Sequence, residues 1–307
     1  MKKIMEYQIE EEWMGKPVKL YLKQELHLTA AQIRSLKFHE DGIWKNGERC
    51  RVNQMLQKGD QLRITLQEKE SGVQKVKASG FMPEILYEDK DVICVWKMSG
   101  RVTHPVAGHE KDTVAGDLVT YFAAKKEQVT VRSIGRLDKD TSGILVFAKN
   151  RVAAARLWEQ RSQGIFQKEY LAWCQGVFPK EAMTKEQCIS MPIGKNRSVC
   201  KEGQKMHLSA DGKMAVTHYQ VLVQQEEQAL VRFYLETGRT HQIRVHMAGL
   251  GHPLVGDSLY GSGIHHQDAA KLCAWKVKFL QPFTEQKVEL EYRDPLYFST
   301  SLHCPPV

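Results

Sequence analysis

The stretch Gly135-Arg136-Leu137-Asp138-Lys139-Asp140-Thr141-Ser142-Gly143 sets a carboxylate between cations, ahead of the apolar run 144–148. In extended backbone alternate side chains share a side, so Arg136 and Asp138 are expected to face the same way. An ionised carboxylate held there can attack carbon or take a proton, and the flanking cations suit a polyanionic substrate. Asp140 has the same spacing from Asp138. A carboxylate pair suggests glycoside hydrolysis, but hydrolases usually bring their two acids from separate elements. Asp140 therefore reads as a turn or capping acid, beside the turn formers Thr141, Ser142 and Gly143.

Two further stretches carry groups of the right type. In Gln167-Lys168-Glu169-Tyr170-Leu171-Ala172-Trp173, strand alternation puts Lys168, Tyr170 and Ala172 on one face. By residue type alone Tyr170 reads as half-buried core. The third runs Thr237-Gly238-Arg239-Thr240-His241-Gln242-Ile243-Arg244-Val245-His246-Met247 after the apolar stretch 229–235. Thr240 is predicted to cap a helix that stops at Gly251, with Ile243, Met247 and Leu250 toward the core. A Gly turn, a helix start and the guanidinium groups of Arg239 and Arg244 form a plausible anion site. His241 and His246 do not share a face as zinc ligands would, and no metal is expected. The turn-rich 251–261 reads equally as a structural loop and as one that closes against the site.

The elements that must position these groups lie in a chain of 307 residues, long enough for two domains. Its net charge of +8 favours polyanion binding without proving it. No run nears the ~18 apolar residues of a membrane helix, and no signal-peptide core follows the N-terminus. The cysteines number seven, are scattered and form no C-x-x-C pair, so reduced thiols in the cytoplasm are the simplest expectation. No dinucleotide fingerprint or P-loop is present.

Residues 1–66 read as a small module. A helical pattern begins at Val18, and a second follows with Thr29 as its cap. An Asn46-Gly47 hairpin and a strand over 61–66 complete it. Residues 67–80 are polar, charged and Gly-containing and read as a linker. In 81–307, strand-like runs at 85–87, 92–96, 144–148, 170–174 and 229–235 alternate loosely with helical patterns, notably 113–124 and 150–163. The fold class expected is α+β, with a mixed, largely antiparallel sheet and flanking helices around a central cleft.

At these motifs the chain resembles the RluA-type pseudouridine synthases. Residues 135–143 are similar to that family's R-L-D-x-x-T-S-G signature and 237–261 to its second long one. Residues 84–105 resemble its opening strand pair and turn, Lys168-Glu169-Tyr170 its K-x-Y strand, and 271–283 its closing strand. The family's Lys-Pro is Lys97-Met98 here and its His-Ala is Cys273-Ala274. The N-terminal module resembles an S4-type RNA-binding unit, with Arg34, Lys37, Lys45, Arg49 and Arg51 available to RNA, although the usual Ser-Arg start of the second helix is absent.

The resemblance implies isomerisation of uridine to pseudouridine within structured RNA, with large-subunit ribosomal RNA favoured and transfer RNA the other option. It implies no cofactor. Asp138 would be the essential carboxylate, Tyr170 the active-site aromatic that stacks on uracil and is a candidate for moving the C5 proton, and Arg244 the cation paired with Asp138. Arg136 would fill the gap left by the extruded uridine, and Arg239, Thr240, His241 and Gln242 would bind substrate. A non-catalytic RNA-binding protein on the same scaffold, such as a ribosome-assembly factor, is the alternative. Nothing suggests a coiled coil, so a monomer is expected.

Overall fold

The computed structural model describes residues 2–26, 28–67, 76–195, 205–261 and 269–294. The N-terminal part comprises β1 (Lys2–Gln8), α1 (Val18–Gln24), α2 (Ala30–Phe38), β2 (Ile43–Lys45), β3 (Glu48–Arg49) and β4 (Gln61–Gln67). The strands form an antiparallel sheet in the order β1-β4-β2-β3. Thr29 caps α2 in a full capping box with Gln32. Asn46 and Gly47 both take positive φ, the backbone of a two-residue hairpin turn. The pairing of β1 with β4 is not foreseen from sequence; its alternation (Met5 buried, Glu6 exposed) is masked by interspersed charges.

Beyond it come β5 (Glu84–Glu88), β6 (Val92–Lys97), α3 (Val114–Ala124), β7 (Arg132–Ser133), β8 (Ser142–Ala148), α4 (Arg151–Ser162) and β9 (Gln167–Gln175). Next are α5 (Glu181–Thr184), β10 (Gln187–Ser190), β11 (Ile193–Lys195), β12 (Met206–Leu208), β13 (Val216–Gln225) and β14 (Gln228–Leu235). The described chain ends with α6 (Gln242–Gly249), β15 (Leu272–Leu280) and β16 (Lys287–Glu291). The large sheet runs β10-β13-β14-β9-β15-β8-β6-β5 and is antiparallel except where β15 meets β8. This is the α+β, largely antiparallel architecture expected.

Two features of this sheet position the site. First, β15 lies between β8 and β9, so the loop entering β8 and the strand carrying Tyr170 are held by one central partner. Second, β8 is buried along its whole length, and Gly143 (φ +131°) lets it approach Ala274. A Cβ on Gly143 would lie 2.5 Å from the Ala274 backbone. Asn150, read from sequence as the first residue of a helix, is the N-cap of α4, and Thr113 is the N-cap of α3.

The stretch read as a linker is partly docked. Residues 68–75 lie outside the described residues, but Ser79 Oγ donates to Asp117 Oδ1 at 2.5 Å and Gly80 N–H to Thr120 Oγ1 at 3.0 Å, both on α3. The N-terminal core also includes Val152 of α4, and Arg156 donates to the carbonyls of Leu26 and Pro282.

Candidate active site

A cavity of about 650 Å³ opens where the 135–141 loop, the end of α4, strand β9 and the 236–244 segment converge. This is ample for a nucleotide. Its walls carry the basic side chains Arg136, Arg161, Lys168, Arg239 and Arg244, against the carboxylates of Asp138 and Glu236. Asp138, Tyr170 and Arg244, distant in sequence, all line it, as do Arg136, Arg239, Thr240, His241 and Gln242.

Asp138 sits on a turn closed by Thr141 N–H to Asp138 O (3.1 Å), immediately before β8. The loop 97–103 braces it. Lys97, fully buried, donates from Nζ to the carbonyls of Met98 (3.1 Å), Arg101 (2.7 Å) and Lys139 (2.9 Å). Gly100 N–H also reaches Lys139 O at 2.9 Å, and Thr103 Oγ1 donates to Leu137 O at 3.1 Å. The missing proline after Lys97 is thus offset by hydrogen bonds, and Met98 is left exposed. Among the described residues the Asp138 carboxylate itself has neither hydrogen bond nor ion pair, and it remains open to a ligand.

The expected pair of Asp138 with Arg244 is not formed. Arg244 makes a two-pronged contact with Asp257, Nε to Oδ2 and Nη2 to Oδ1, each 2.7 Å, and its Nη1 lies 3.5 Å from Asp140 Oδ2. Asp257 is fully enclosed, and a buried carboxylate without a cation would be costly, so it holds the guanidinium. Asp257 also accepts the N–H groups of Leu259 and Tyr260. Residues 251–261 thus do close against the site. Arg244 feels Asp138 only as a longer-range charge, and Asp140 is an ion-pair member rather than a simple turn acid.

Three readings of the 237–250 segment need correction. Thr240 is not the cap of α6: His241, in left-handed backbone (φ 56°), occupies that position. No side chain caps the helix; the Gln242 side chain instead ties down the turn before it, accepting from Arg239 N–H (2.9 Å) and Thr237 Oγ1 (2.8 Å). Its amide also donates to Val216 O (2.9 Å) and Thr217 Oγ1 (3.0 Å), so Gln242 is spent on the scaffold, not on substrate. Leu250 is 40% exposed rather than core. Arg244 is likewise buried in its pair, which leaves Arg239 as the guanidinium of this segment with donors to spare; its Nε reaches Met214 O at 3.1 Å. Thr240 Oγ1 accepts from Arg136 at 3.4 Å, across the cavity mouth.

The titratable walls are shifted by burial. Tyr170 is pushed up to about 12, so its phenol stays protonated at neutral pH. His241 is lowered by burial and is neutral. The Tyr260 hydroxyl accepts Met206 N–H (2.9 Å) and is hydrogen-bonded to His241 Nδ1 at 2.8 Å, leaving Nε2 as the ring nitrogen free for a ligand. Lys168, bonded to Ile144 O at 2.8 Å, is lowered to about 7 by burial and by the neighbouring Arg161.

Sequence reasoning misses Arg161, Lys97 and Asp257. Arg161 belongs to the last turn of α4 yet reaches between the Gly135 and Gly238 turns; a Cβ there would lie 2.2 and 2.7 Å from its guanidinium. The absence of side chains at both glycines was the available signal.

Comparison with known proteins agrees with this geometry. Residues 91–249 match the family model described as RNA pseudouridylate synthase. The uncharacterized RNA pseudouridine synthase YhcT of Bacillus subtilis is 37% identical over 94% of this chain and 92% of its own length. The ribosomal large subunit pseudouridine synthase D of Vibrio cholerae is 36% identical over 76% of this chain and 73% of its own. Human RNA pseudouridylate synthase domain containing 1 superposes with a TM-score of 0.57 at 27% identity, covering 70% of this chain and 85% of that one.

Proposed function

This chain belongs to the RNA pseudouridylate synthase family, and on that premise we propose that it isomerises uridines of large-subunit ribosomal RNA, with Asp138 as the reacting carboxylate. The observation that carries the assignment of Asp138 is its carboxylate. It is unpartnered at the wall of a nucleotide-sized basic cavity, on a loop clamped by Lys97. The ribosomal substrate is supported by the likeness to the large-subunit enzyme of Vibrio cholerae.

In the reaction the C1′–N1 bond breaks, the uracil turns, and C5 bonds to C1′; a proton leaves C5 and one is gained at N1, so no redox step is required. Two routes are open to Asp138. It can attack C1′ as a nucleophile or take the C2′ proton as a base. Tyr170, protonated and half-buried, stacks against the uracil. With its phenolate scarce at neutral pH, it is a poor acceptor for the C5 proton. Neutral His241 presents its Nε2 to the base as a hydrogen-bond partner. Arg244 does not hold Asp138 directly; locked on Asp257 and leaning toward Asp140, it fixes the cavity floor and supplies positive potential. Arg136, exposed and flat, takes the space vacated by the flipped nucleotide. Arg239 and Thr240 engage the strand at the mouth.

The N-terminal 1–66 is proposed as an S4-like RNA-binding module, with Arg34, Lys37, Arg49 and Arg51 exposed on it and Lys45 drawn into a pair with Asp60. The protein is proposed to act as a cytoplasmic monomer, in keeping with its unpaired described cysteines.

The test is to map pseudouridines in ribosomal RNA from cells lacking this protein. One or more large-subunit positions should revert to uridine, be restored by the wild-type chain, and stay unmodified with Asp138→Ala. A fully modified large-subunit RNA in the deletion strain would refute the assignment.

A further inference from the structure

Arg161 has no role in the machinery described above, yet it is the one arginine of the cavity wall, among the described residues, that contacts neither a carboxylate nor a hydrogen-bond acceptor. Its guanidinium lies over the Trp158 ring, 5.2 Å from the centroid. Trp158 and Arg161 are three residues apart on α4, hence on one helix face, and both line the cavity. Trp158 is 48% exposed, an unusual setting for a large aromatic. The guanidinium passes between two turns whose glycines, Gly135 and Gly238, leave room for it, and it is close enough for its charge to help lower Lys168 and to oppose part of the burial-driven rise of Tyr170.

Stacking satisfies one face of a guanidinium and leaves its edge donors unspent. Five N–H donors in a fork match a phosphate, and an exposed indole face matches an unpaired base. Resting on the synthase reading above, we propose that Trp158 and Arg161 form a strand clamp at the cavity mouth. Arg161 grips a backbone phosphate of the flipped nucleotide, and Trp158 stacks on an adjacent unpaired base. The clamp is a substrate-binding element distinct from Arg136, which belongs to the adjoining 135–141 loop and is bonded to Thr240. It makes the enzyme favour uridines in loops or bulges, where a neighbouring base is free to stack, over uridines inside an uninterrupted helix.

The test uses the full chain with unmodified large-subunit ribosomal RNA transcribed with C5-tritiated uridine, followed by RNA binding and label release across a salt series. Arg161→Ala should weaken RNA binding about tenfold or more and flatten the slope of log affinity against log salt by about one phosphate contact. Arg161→Lys should keep the salt slope but lose much of the affinity, because the charge remains and the fork does not. Trp158→Ala should weaken binding about five- to hundredfold with the salt slope unchanged, and Trp158→Phe should recover most of it. A merely structural role would leave the salt slope of Arg161→Ala at the wild-type value. That result, or unchanged binding by Arg161→Ala and Trp158→Ala alongside active wild type, overturns the clamp alone. Absence of label release by wild type overturns the synthase reading, and the clamp with it.

Discussion

Replacing Asp257 by Asn removes one charge and almost no volume from the most enclosed ion pair of the site. Arg244 is 2% exposed and the Asp257 carboxylate fully enclosed, so neither can turn to water. The amide oxygen can still accept from one Arg244 N–H and from Leu259 and Tyr260, but its NH2 now faces a second guanidinium N–H. Breaking a buried pair from one side costs about 3–5 kcal/mol. The retained acceptor and Asp140, 3.5 Å away, offset part of this, and the expected loss is roughly 2–4 kcal/mol. That corresponds to a melting temperature lower by roughly 3–6 °C for a chain of this size. Scanning calorimetry measures it, and tritium release below the transition should fall as well, because the cavity floor is no longer fixed. Adding Arg244→Met should recover stability, since it removes the stranded charge, but not activity. A melting temperature equal to wild type in Asp257→Asn would refute the reasoning.

Other outcomes follow from the same geometry. Gly143→Ala, with φ +131° and the Ala274 backbone 2.5 Å from the new Cβ, should cost about 3 kcal/mol or more, read as a drop in melting temperature and soluble yield. Lys168 should lose its proton near pH 7, seen by NMR of labelled lysine side chains, and Arg161→Ala should move that midpoint upward. Its folded-state pKa lies below the unfolded 10.5, so the unfolded chain binds more protons between the two values, and this group makes stability rise with pH from about 7 toward 10.5. A Lys168 midpoint at the ordinary lysine value in wild type would contradict its burial. Arg136→Ala should still bind structured RNA but turn it over slowly, with less loss on unstructured RNA; normal turnover on structured RNA would count against its place in the flipped-out gap.

Much of the site is legible in the sequence because its residues lie in short local motifs. Asp138 precedes an unbroken apolar strand, Tyr170 sits in a recognisable strand register, and the 237–251 segment shows its turn and helix. Partner choice is not local and is not legible. Whether Arg244 meets Asp138, Asp140 or Asp257 depends on which carboxylate the fold buries most deeply, and that is decided by how 251–261 packs on α6. The same holds for Gln242, whose polar side chain reads as substrate-facing until the carbonyl of Val216, from β13, is seen to claim it. Arg161 stays hidden because a basic residue in a helix's last turn is ordinary, and only the two glycine turns show where it goes. In the N-terminal module, capping box and hairpin announce themselves, while β1 depends on a pairing with β4 some sixty residues away.

The central claim is that the Asp138 carboxylate acts on the ribose of an extruded uridine. Single-turnover tritium release from C5-labelled uridine in unmodified large-subunit ribosomal RNA tests it most directly, comparing wild type with the isosteric Asp138→Asn after both are shown to bind the RNA equally. The account predicts rapid release by wild type and none above background by Asp138→Asn. Release by the variant at the wild-type rate would contradict it.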